Sequence, residues 1–570
     1  MPRLLPTIVC GMLLSACQST PPADAPKEEA ATVKVTGTDV PEVPRPDAQK
    51  KGAPLFAHLG TYTRDVTTST VQARRYFNQG MILTYGFNHD EAGRSFREAA
   101  RLDPKCAACW WGAALVLGPN INLPMMAQAA GPAYEAAQQA ASLAGGASPV
   151  EKALIGALLK RYEEKPPEDR SALDLAYANA MRQVVAQFPQ DPDVLALFGE
   201  ALLDLSPWNY WLPDGTPKPT TTEAIRSIES AMALSPSHPG ALHYYIHVLE
   251  ETQPERATAA ADRLRDLVPD AGHLVHMPGH IYLRTGRYQD ALDVNVKAGE
   301  ADQSYITQCN VQGFYPLAYH PHNWHFVWAA ATFEGNQESA LMGAEKVQHL
   351  MHGSRADDPA LGPMVQHFAL TPLYAEVRFG LWDQVLAAAP PAGAYSQAIW
   401  HYARGFAYAA RNDIPRADNE LSEVKRLSAD PALPKAFVSA RNSADKLVAI
   451  AEHLLEGNIA ARKRNFPAAI AALQEAAKLE DTLGYSEPED WHYPVRLYLG
   501  TVLLEAGKPA EAETAFREDL KKHPENGWAL FGLAQALDAQ SKRPDAADAR
   551  KRFDKAWRTA DISLTGAVIR

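Results

Sequence analysis

Nine of the eighteen histidines lie between His238 and His325, a short stretch of a 570-residue chain. Eight of these nine form three clusters, and spacings of three, four and seven residues place side chains on one face of a helix. Imidazole is mostly uncharged at neutral pH and is a common ligand for zinc, copper and iron. The clusters therefore predict a transition-metal site for copper, zinc or iron. The predicted ligands are His243, His247, His273, His276, His280, His322 and His325, together with Glu250 and Cys309.

Other interpretations of the histidines stay open. A single buried histidine usually packs or caps a helix, and a polar groove can bind a peptide or small molecule through hydrogen bonds alone. Catalysis by a histidine-ligated metal is a further possibility. The HxxxH spacings lack the glutamate of the HExxH zinc-protease motif, and no residue pattern indicates a nucleophile with its base. The sequence therefore assigns no catalytic residue and leaves open whether the protein is an enzyme.

The elements that must position these histidines are visible as a repeat. In a unit that begins at Ala73, Gly80 and Ala92 are small where two helices cross, Phe96 is the large residue between them, and Pro104 ends the second helix. This pattern resembles the tetratricopeptide repeat, in which each unit is a pair of antiparallel helices. The register recurs in units that begin at His238, Gly272, Pro321, Ala398, Ile450, Tyr493 and Gly527, with a weaker unit near Gln366. The resemblance implies an all-α solenoid over most of residues 70–558.

The same resemblance predicts where the histidine rings point. In tetratricopeptide proteins, positions 2, 5 and 9 of the first helix line the concave groove. His273, His276 and His280 take these positions in their unit, and His322 and His325 take positions 2 and 5 of the next. Because the first helices of consecutive units are neighbours, we expect these imidazoles to converge on one wall of the groove.

Two interruptions divide an otherwise regular pattern. Residues 206–222 are rich in proline and aromatic side chains and predict an inserted loop, and residues 304–320 form a second insertion. Insertions in a solenoid tend to fall on one face, often the binding face. Pro278 either bends the first helix of its unit or begins it. The predicted solenoid has three parts, residues 55–237, the histidine-rich residues 238–354 and residues 355–570.

The first residues have the pattern of an exported lipoprotein. A single basic residue, Arg3, precedes an apolar run that ends in the sequence LSAC at Cys17, which resembles the lipobox of bacterial lipoproteins. The resemblance implies that residues 1–16 are a signal peptide, that Cys17 carries the lipid and that the protein faces the periplasm. Gln18 stands where aspartate typically retains lipoproteins at the inner membrane, so we expect the outer membrane of a Gram-negative bacterium. Residues 17–54 have almost no large apolar side chains and predict a disordered tether.

Composition limits the partners of the protein. The formal net charge is -12, which gives no basic field for nucleic acid. No apolar run reaches the roughly 18 residues of a membrane-spanning helix, so the expected membrane attachment is the N-terminal lipid. A solenoid groove fits an envelope protein or peptide, and a metal-free interaction scaffold is therefore the main alternative function. Cys106 and Cys109 are spaced for a disulfide in an oxidising compartment, the favoured interpretation, or for half of a metal site.

Overall fold

The computed structural model describes residues 52–309, 314–351 and 362–570. Within these ranges the protein has twenty-six α-helices, three short 3-10 helices and only isolated β-bridges. The α-helices form twelve consecutive antiparallel pairs, and in two of these pairs the first helix is broken into two segments. The predicted all-α solenoid of helix pairs is confirmed. The signal peptide, Cys17 and residues 17–51 of the predicted tether lie outside the described residues.

Four helix pairs make up the N-terminal part of the solenoid. Their bounds are α1 (Val71–Tyr85), α2 (His89–Leu102), α3 (Ala107–Leu115), α4 (Ala130–Leu143), α5 (Pro149–Leu158), α6 (Ser171–Gln187), α7 (Pro192–Leu203) and α8 (Pro219–Leu234). Prolines begin α5, α7 and α8. At the first position of a helix a backbone N–H has no acceptor within the helix, so proline removes no hydrogen bond there. The chain before α1 packs along this part, because the Arg64 guanidinium pairs with Asp191 and Asp193 at 2.9 and 2.6 Å.

Three pairs in the middle of the chain carry the clustered histidines. Their bounds are α9 (Pro239–Leu249), α10 (Pro254–Leu264), α11 (Gly272–His276), α12 (Pro278–Arg284), α13 (Tyr288–Cys309), α14 (Phe314–Glu334) and α15 (Gln337–Met351). The first helix of the second of these pairs consists of α11 and α12. Pro278 begins α12, and Met277 between the two segments keeps helical dihedral angles. The proline therefore interrupts the backbone hydrogen bonding while the chain continues as a helix.

Five pairs complete the C-terminal part. Their bounds are α16 (Gly362–Ala369), α17 (Thr371–Arg378), α18 (Trp382–Ala387), α19 (Ala394–Ala410), α20 (Ile414–Ser428), α21 (Ala444–Arg462), α22 (Phe466–Glu480), α23 (Val495–Glu505), α24 (Pro509–Lys522), α25 (Gly527–Ala539) and α26 (Arg543–Ala556). In the first of these five pairs, the first helix is broken into two segments, α16 and α17. Across the part of the chain that the structure describes, no helix is both long and apolar enough to span a bilayer.

The two predicted interruptions have different structures. Residues 204–218 form an irregular loop, and α8 begins at Pro219, so the predicted loop 206–222 extends slightly too far. The insertion 304–320 is helical wherever it is described, because residues up to Cys309 complete α13 and residues from 314 belong to α14. Gln308 donates to the Ser304 hydroxyl one turn earlier at 2.7 Å, a local bond that supports the helix.

Close packing within and between pairs depends on glycine opposite an aromatic ring. Phe96 on α2 is fully buried, and a Cβ atom on Gly80 of α1 or Gly112 of α3 would lie 2.7 or 2.5 Å from its ring. Phe516 on α24 has the same relation to Gly500 and Gly532, with distances of 2.5 and 2.4 Å. Glycine is therefore required at these positions because any side chain would push the helices apart.

The C-terminal part packs back against the middle of the chain. The Tyr288 hydroxyl at the start of α13 donates to the Pro524 carbonyl at 2.9 Å, and the Trp528 indole on α25 donates to the Thr332 carbonyl on α14 at 2.9 Å. Arg441, before α21, pairs with Glu251 beyond α9 at 2.7 Å. These contacts cover the histidine-bearing helices with residues that are about 200 positions away in the chain.

Replacing Phe96 by alanine is expected to lower the free energy of unfolding by about 3–5 kcal/mol, because the cavity next to Gly80 and Gly112 cannot collapse fully. Urea unfolding followed by far-ultraviolet circular dichroism measures the change. Phe466→Ala is the matched control, because that ring at the start of α22 is only partly buried. Equal losses in the two variants would contradict this packing argument.

Candidate metal centre

Six of the predicted ligands come together in the interior of the protein. His243 and His247 lie on α9, His273 and His276 on α11, and His280 on α12, and these five side chains are at most 5% exposed. His322 on α14 is half-buried beside them. The carriers are the first helices of three consecutive pairs, as the repeat register predicts. The centre is buried, however, and does not line an open groove, because the C-terminal part covers it.

The six rings form two adjacent triads. In the first triad, ligand atoms of His243, His247 and His273 all lie within 4.8 Å of one another. The Nε2 atoms of His243 and His273 are 3.1 Å apart. The rings of His247 and His273 are parallel within 29°, with centroids 5.9 Å apart. This spacing suits three nitrogens around one small cation.

The second triad consists of His276, His280 and His322, whose ligand atoms also lie within 4.8 Å of one another. The Nε2 atoms of His276 and His280 are 2.7 Å apart. Two nitrogen lone pairs repel at that distance, so a shared proton or a shared cation must lie between them. The two triads are neighbours, because the rings of His273 and His276 have centroids 5.8 Å apart.

Hydrogen bonds to Nδ1 fix the orientation of two rings. His243 donates from Nδ1 to the Tyr85 backbone carbonyl at 2.6 Å, and a carbonyl can only accept. His276 donates from Nδ1 to the Asn295 side-chain oxygen at 2.6 Å, and the Asn295 amide in turn donates to the Ala291 carbonyl at 2.7 Å. With Nδ1 protonated, the Nε2 atom of each neutral ring carries the free lone pair. Outer contacts of this kind orient metal-ligating histidines.

Buried carboxylates lie against Nδ1 of two further rings, as a hydrogen-bond acceptor for His247 and as close charged neighbours for His280. His247 donates from Nδ1 to one oxygen of Glu250 at 3.1 Å, and the other oxygen of Glu250 lies 2.5 Å from Nδ1 of His280. Glu487, in the segment between α22 and α23, approaches the same nitrogen of His280 at 2.7 Å. Glu250 therefore connects the two triads from their Nδ1 side. Glu250, Glu487 and His280 also form a third group that could hold an ion, in competition with this role.

Burial decides the charge of most of these imidazoles. It lowers the pKa of His243, His273, His276 and His322 well below the ordinary value, and it also lowers that of His247. His280 differs, because Glu250 and Glu487 outweigh its burial and raise its pKa to about 10. Burial alone would raise the pKa of Glu250, but His280 lowers it to about 2. Five neutral rings with free lone pairs are thus available as ligands at neutral pH, and His280 becomes the sixth when a metal ion displaces the proton from its Nε2 atom.

Two predicted ligands lie apart from the triads. The His325 ring stacks on Trp328 with centroids 4.8 Å apart and contacts Phe368 at 4.5 Å. Cys309 ends α13 and faces Glu91, and burial together with that carboxylate raises the pKa of its thiol to about 12. Neither residue belongs to a group of described side chains that could hold an ion. Both are placed in their surroundings by packing and local hydrogen bonding.

Several residues of the centre are absent from the sequence prediction. Glu487 belongs to the predicted C-terminal part of the solenoid, residues 355–570, which carries no histidine cluster. Phe87, after α1, stacks on the rings of His247 and His273, and Trp208 of the 206–222 loop meets His247 edge-on at 5.3 Å. Phe87 and Trp208 both have a positive φ, which the repeat pattern does not predict. No local sequence signal marks these contacts, because all of them cross between repeats.

The two clustered cysteines lie in the N-terminal part, away from the triads. A disulfide joins Cys106 and Cys109 in the structure, with Cα atoms 5.3 Å apart. Cys106 precedes α3 and accepts a hydrogen bond from the Cys109 backbone at 3.1 Å. The pair thus lies at the first turn of α3, and both residues are buried.

Two segments of the chain match family models. Residues 73–106 and residues 497–560 each match a model described as tetratricopeptide repeat. They correspond to α1–α2 and to α23–α26, the two places where glycine packs against Phe96 and Phe516. Among curated proteins, none matches the sequence.

The solved structures that the chain matches are distant from it. The human IFIT1 dimer with PPP-AAAA is 12% identical, covers 87% of this chain and 92% of its own, and gives a TM-score of 0.27. Yeast Tom70 is 13% identical with coverages of 85% and 93% and a TM-score of 0.26. The APC/C hetero-tetramer Cut9-Hcn1 is 15% identical with coverages of 82% and 76% and a TM-score of 0.29. Scores this low carry no inference about function.

An ion-pair cluster fixes the segment that carries Glu487. His523, after α24, lies 3.0 Å from Glu489 and 3.0 Å from Asp519. Burial would lower the pKa of His523, but the two carboxylates raise it to about 10. The charged imidazole therefore stabilises the fold at full strength below its unfolded pKa of about 6.5, and this contribution is lost as the pH rises through about 10.

His523→Gln is expected to destabilise the protein more at about pH 6 than at about pH 10. The reason is that the side chain at position 523 loses a proton between these pH values only in the wild type. Urea unfolding of both proteins at the two pH values measures the difference in the free energy of unfolding. A difference that does not change with pH would show that the ion-pair cluster contributes nothing to stability.

Proposed function

We propose that the chain holds transition-metal ions in its interior, one in each histidine triad. The observation that carries the proposal is the common orientation of four rings. Tyr85, Asn295 and Glu250 accept hydrogen bonds from Nδ1 of His243, His276 and His247, and carboxylate oxygens of Glu250 and Glu487 lie close to Nδ1 of His280. The Nε2 atoms of His243 and His273 are 3.1 Å apart, and those of His276 and His280 are 2.7 Å apart. Burying so many imidazoles costs free energy, and metal coordination offsets that cost. Three nitrogens also leave a position open for water or another ligand.

The donor set narrows the choice of metal. Neutral imidazole nitrogens suit copper(II), zinc and iron(II), and for a given nitrogen site copper(II) binds tighter than either of the others. Magnesium and calcium prefer oxygen ligands, and in both triads the described ligand atoms are nitrogens. Copper and zinc are therefore the proposed metals, with iron as the weaker candidate.

The second candidate function is a scaffold that binds a partner protein without metal. The two matched tetratricopeptide repeats favour it, since repeats of this type commonly present a binding surface. An envelope protein or peptide is the proposed partner. Scaffolding and metal binding are compatible, because the triads are buried and leave the outer faces of the helices free for contacts.

The proposed location is the periplasmic face of the outer membrane. The lipobox-like sequence before Cys17 supports lipidation, and the polar residues 18–51 are long enough to separate the solenoid from the membrane surface. The disulfide between Cys106 and Cys109 agrees with an oxidising compartment.

The purified protein is expected to retain about two copper or zinc ions per chain, because each triad supplies three nitrogens. Elemental analysis measures the content. Free metal at about 100 times its dissociation constant should stabilise the metal-free protein by about 2.7 kcal/mol for each occupied site, which thermal unfolding measures. Retention of no metal, with no rise in melting temperature on adding copper, zinc or iron, would refute the proposal.

The double substitution His276→Ala with His280→Ala removes two ligands of one triad and is expected to abolish binding there. The helical circular dichroism signal should stay intact, because the helices are held mainly by their apolar faces. The matched control replaces His58 and His349, which are both exposed, by alanine and should keep full metal content. Loss of the helical signal in the first variant alone would assign these residues a packing role instead.

Cys17→Ser is expected to move the protein from the membrane fraction to the soluble periplasmic fraction, because the thiol carries the proposed lipid. Labelling with radioactive palmitate followed by fractionation measures the change. Cys309→Ser is the matched control and should remain labelled and membrane-bound. Labelling of the Cys17→Ser variant would contradict the anchor.

A further inference from the structure

A partly open cavity lies beside the metal centre. Its walls come from α12, α14, α17, the segment between α22 and α23, and the end of α24 with the residue that follows. The cavity is narrow, because the centre of a water-sized sphere can occupy only about 40 Å³ of it. Glu487 belongs both to this wall and to the contacts of His280. Much of the lining is apolar and aromatic, with Trp328, Phe333 and Trp491 among the lining side chains.

Arg378, at the end of α17, is the unusual group in this wall. Its side chain is fully buried, and its guanidinium carbon lies 4.1 Å from the ring centres of both Tyr493 and Trp528. None of its three side-chain nitrogens makes a hydrogen bond of normal geometry. No carboxylate oxygen of the described residues lies within 4.0 Å of them either. Because arginine stays charged in proteins, this is a buried cation whose fork of donors is unused.

The other cations of the wall have acidic partners. Lys522 pairs with Asp481, and His523 pairs with Glu489 and Asp519. Arg284 lies 3.8 Å from Glu487. Arg378 is thus the cation among the described lining residues whose charge has no anion beside it. A buried charge of this kind calls for an anion to offset its desolvation, since aromatic faces supply only part of the compensation.

His492 adds a second set of unused polar atoms to the same wall. Its ring is buried and stacks on Tyr374 with centroids 4.0 Å apart, and neither ring nitrogen has a hydrogen-bond partner. Arg378 and His492 both line the cavity, so a ligand that occupies it lies beside two buried groups with unused polar atoms. Unused buried polar atoms next to a cavity are typical of binding sites.

We propose that this cavity binds a small organic monocarboxylate. The two oxygens of the ligand's carboxylate accept two parallel N–H hydrogen bonds from the guanidinium of Arg378. The apolar body of the ligand lies against the aromatic side chains of the cavity. Inorganic anions match the charge of the site but leave this apolar lining uncovered. The inference stands on Arg378 and the cavity and does not depend on whether the triads hold metal.

Calorimetric titration of the full-length protein with propionate and benzoate tests the proposal, with propionamide and benzamide as neutral probes of equal shape. The carboxylates are expected to bind at least about tenfold tighter than the amides, since only they pair with the guanidinium. Phosphate and chloride are titrated as inorganic anions and should bind more weakly than benzoate. Metal-free and metal-loaded protein should both bind the carboxylates, which separates this result from the outcome for the triads.

Arg378→Gln should weaken carboxylate binding at least about tenfold, and Arg378→Lys should recover only part of it, because lysine lacks the fork. Arg256→Gln at an exposed position is the matched control and should bind like the wild type. If Arg378→Gln fails to fold, Ala329→Leu fills the cavity from α14 and should block binding while Arg378 remains. No carboxylate binding, equal binding of the amides, or wild-type binding by both variants would overturn the proposal.

Discussion

The structure depends on satisfying polar groups that the solenoid buries at its centre. Five imidazoles are almost inaccessible, and water cannot pair with their nitrogens. The protein therefore supplies acceptors from its own interior: the Tyr85 carbonyl, the Asn295 amide oxygen and the carboxylate of Glu250. Each acceptor receives a hydrogen bond from the Nδ1–H group of its ring, so the lone pair is on Nε2, which faces the centre. Because Nδ1 is the hydrogen-bond donor in these rings, Nε2 is the atom that can bind a metal ion.

Charge in the interior is balanced along a chain of contacts. Glu250 and Glu487 share the proton-bearing His280, and Glu487 continues to Arg284 in the cavity wall. The histidine centre and the Arg378 cavity thus have one carboxylate in common.

Closure of the solenoid brings these groups together. The centre receives Tyr85 from the first pair, histidines from the fifth to the seventh, and Glu487 from the connection after the tenth. Contacts such as Tyr288 with Pro524 and Trp528 with Thr332 hold the two halves face to face. An open superhelix would leave the rings in a solvated groove, where they would bind protons and ions far less selectively.

The sequence by itself determined the helix pairs and the convergence of His273, His276, His280 and His322, because both follow from a register that repeats between neighbouring units. The helical spacing of His243 and His247 placed these two residues among the predicted ligands. Only the tertiary structure decided that the site is buried, that His325 and Cys309 lie apart, and that Glu487 and Arg378 complete its surroundings. The physical reason is that contacts within and between adjacent repeats are local, whereas closure sums the small rotations of twelve pairs. The closure of the solenoid therefore cannot be predicted from any single segment of the sequence.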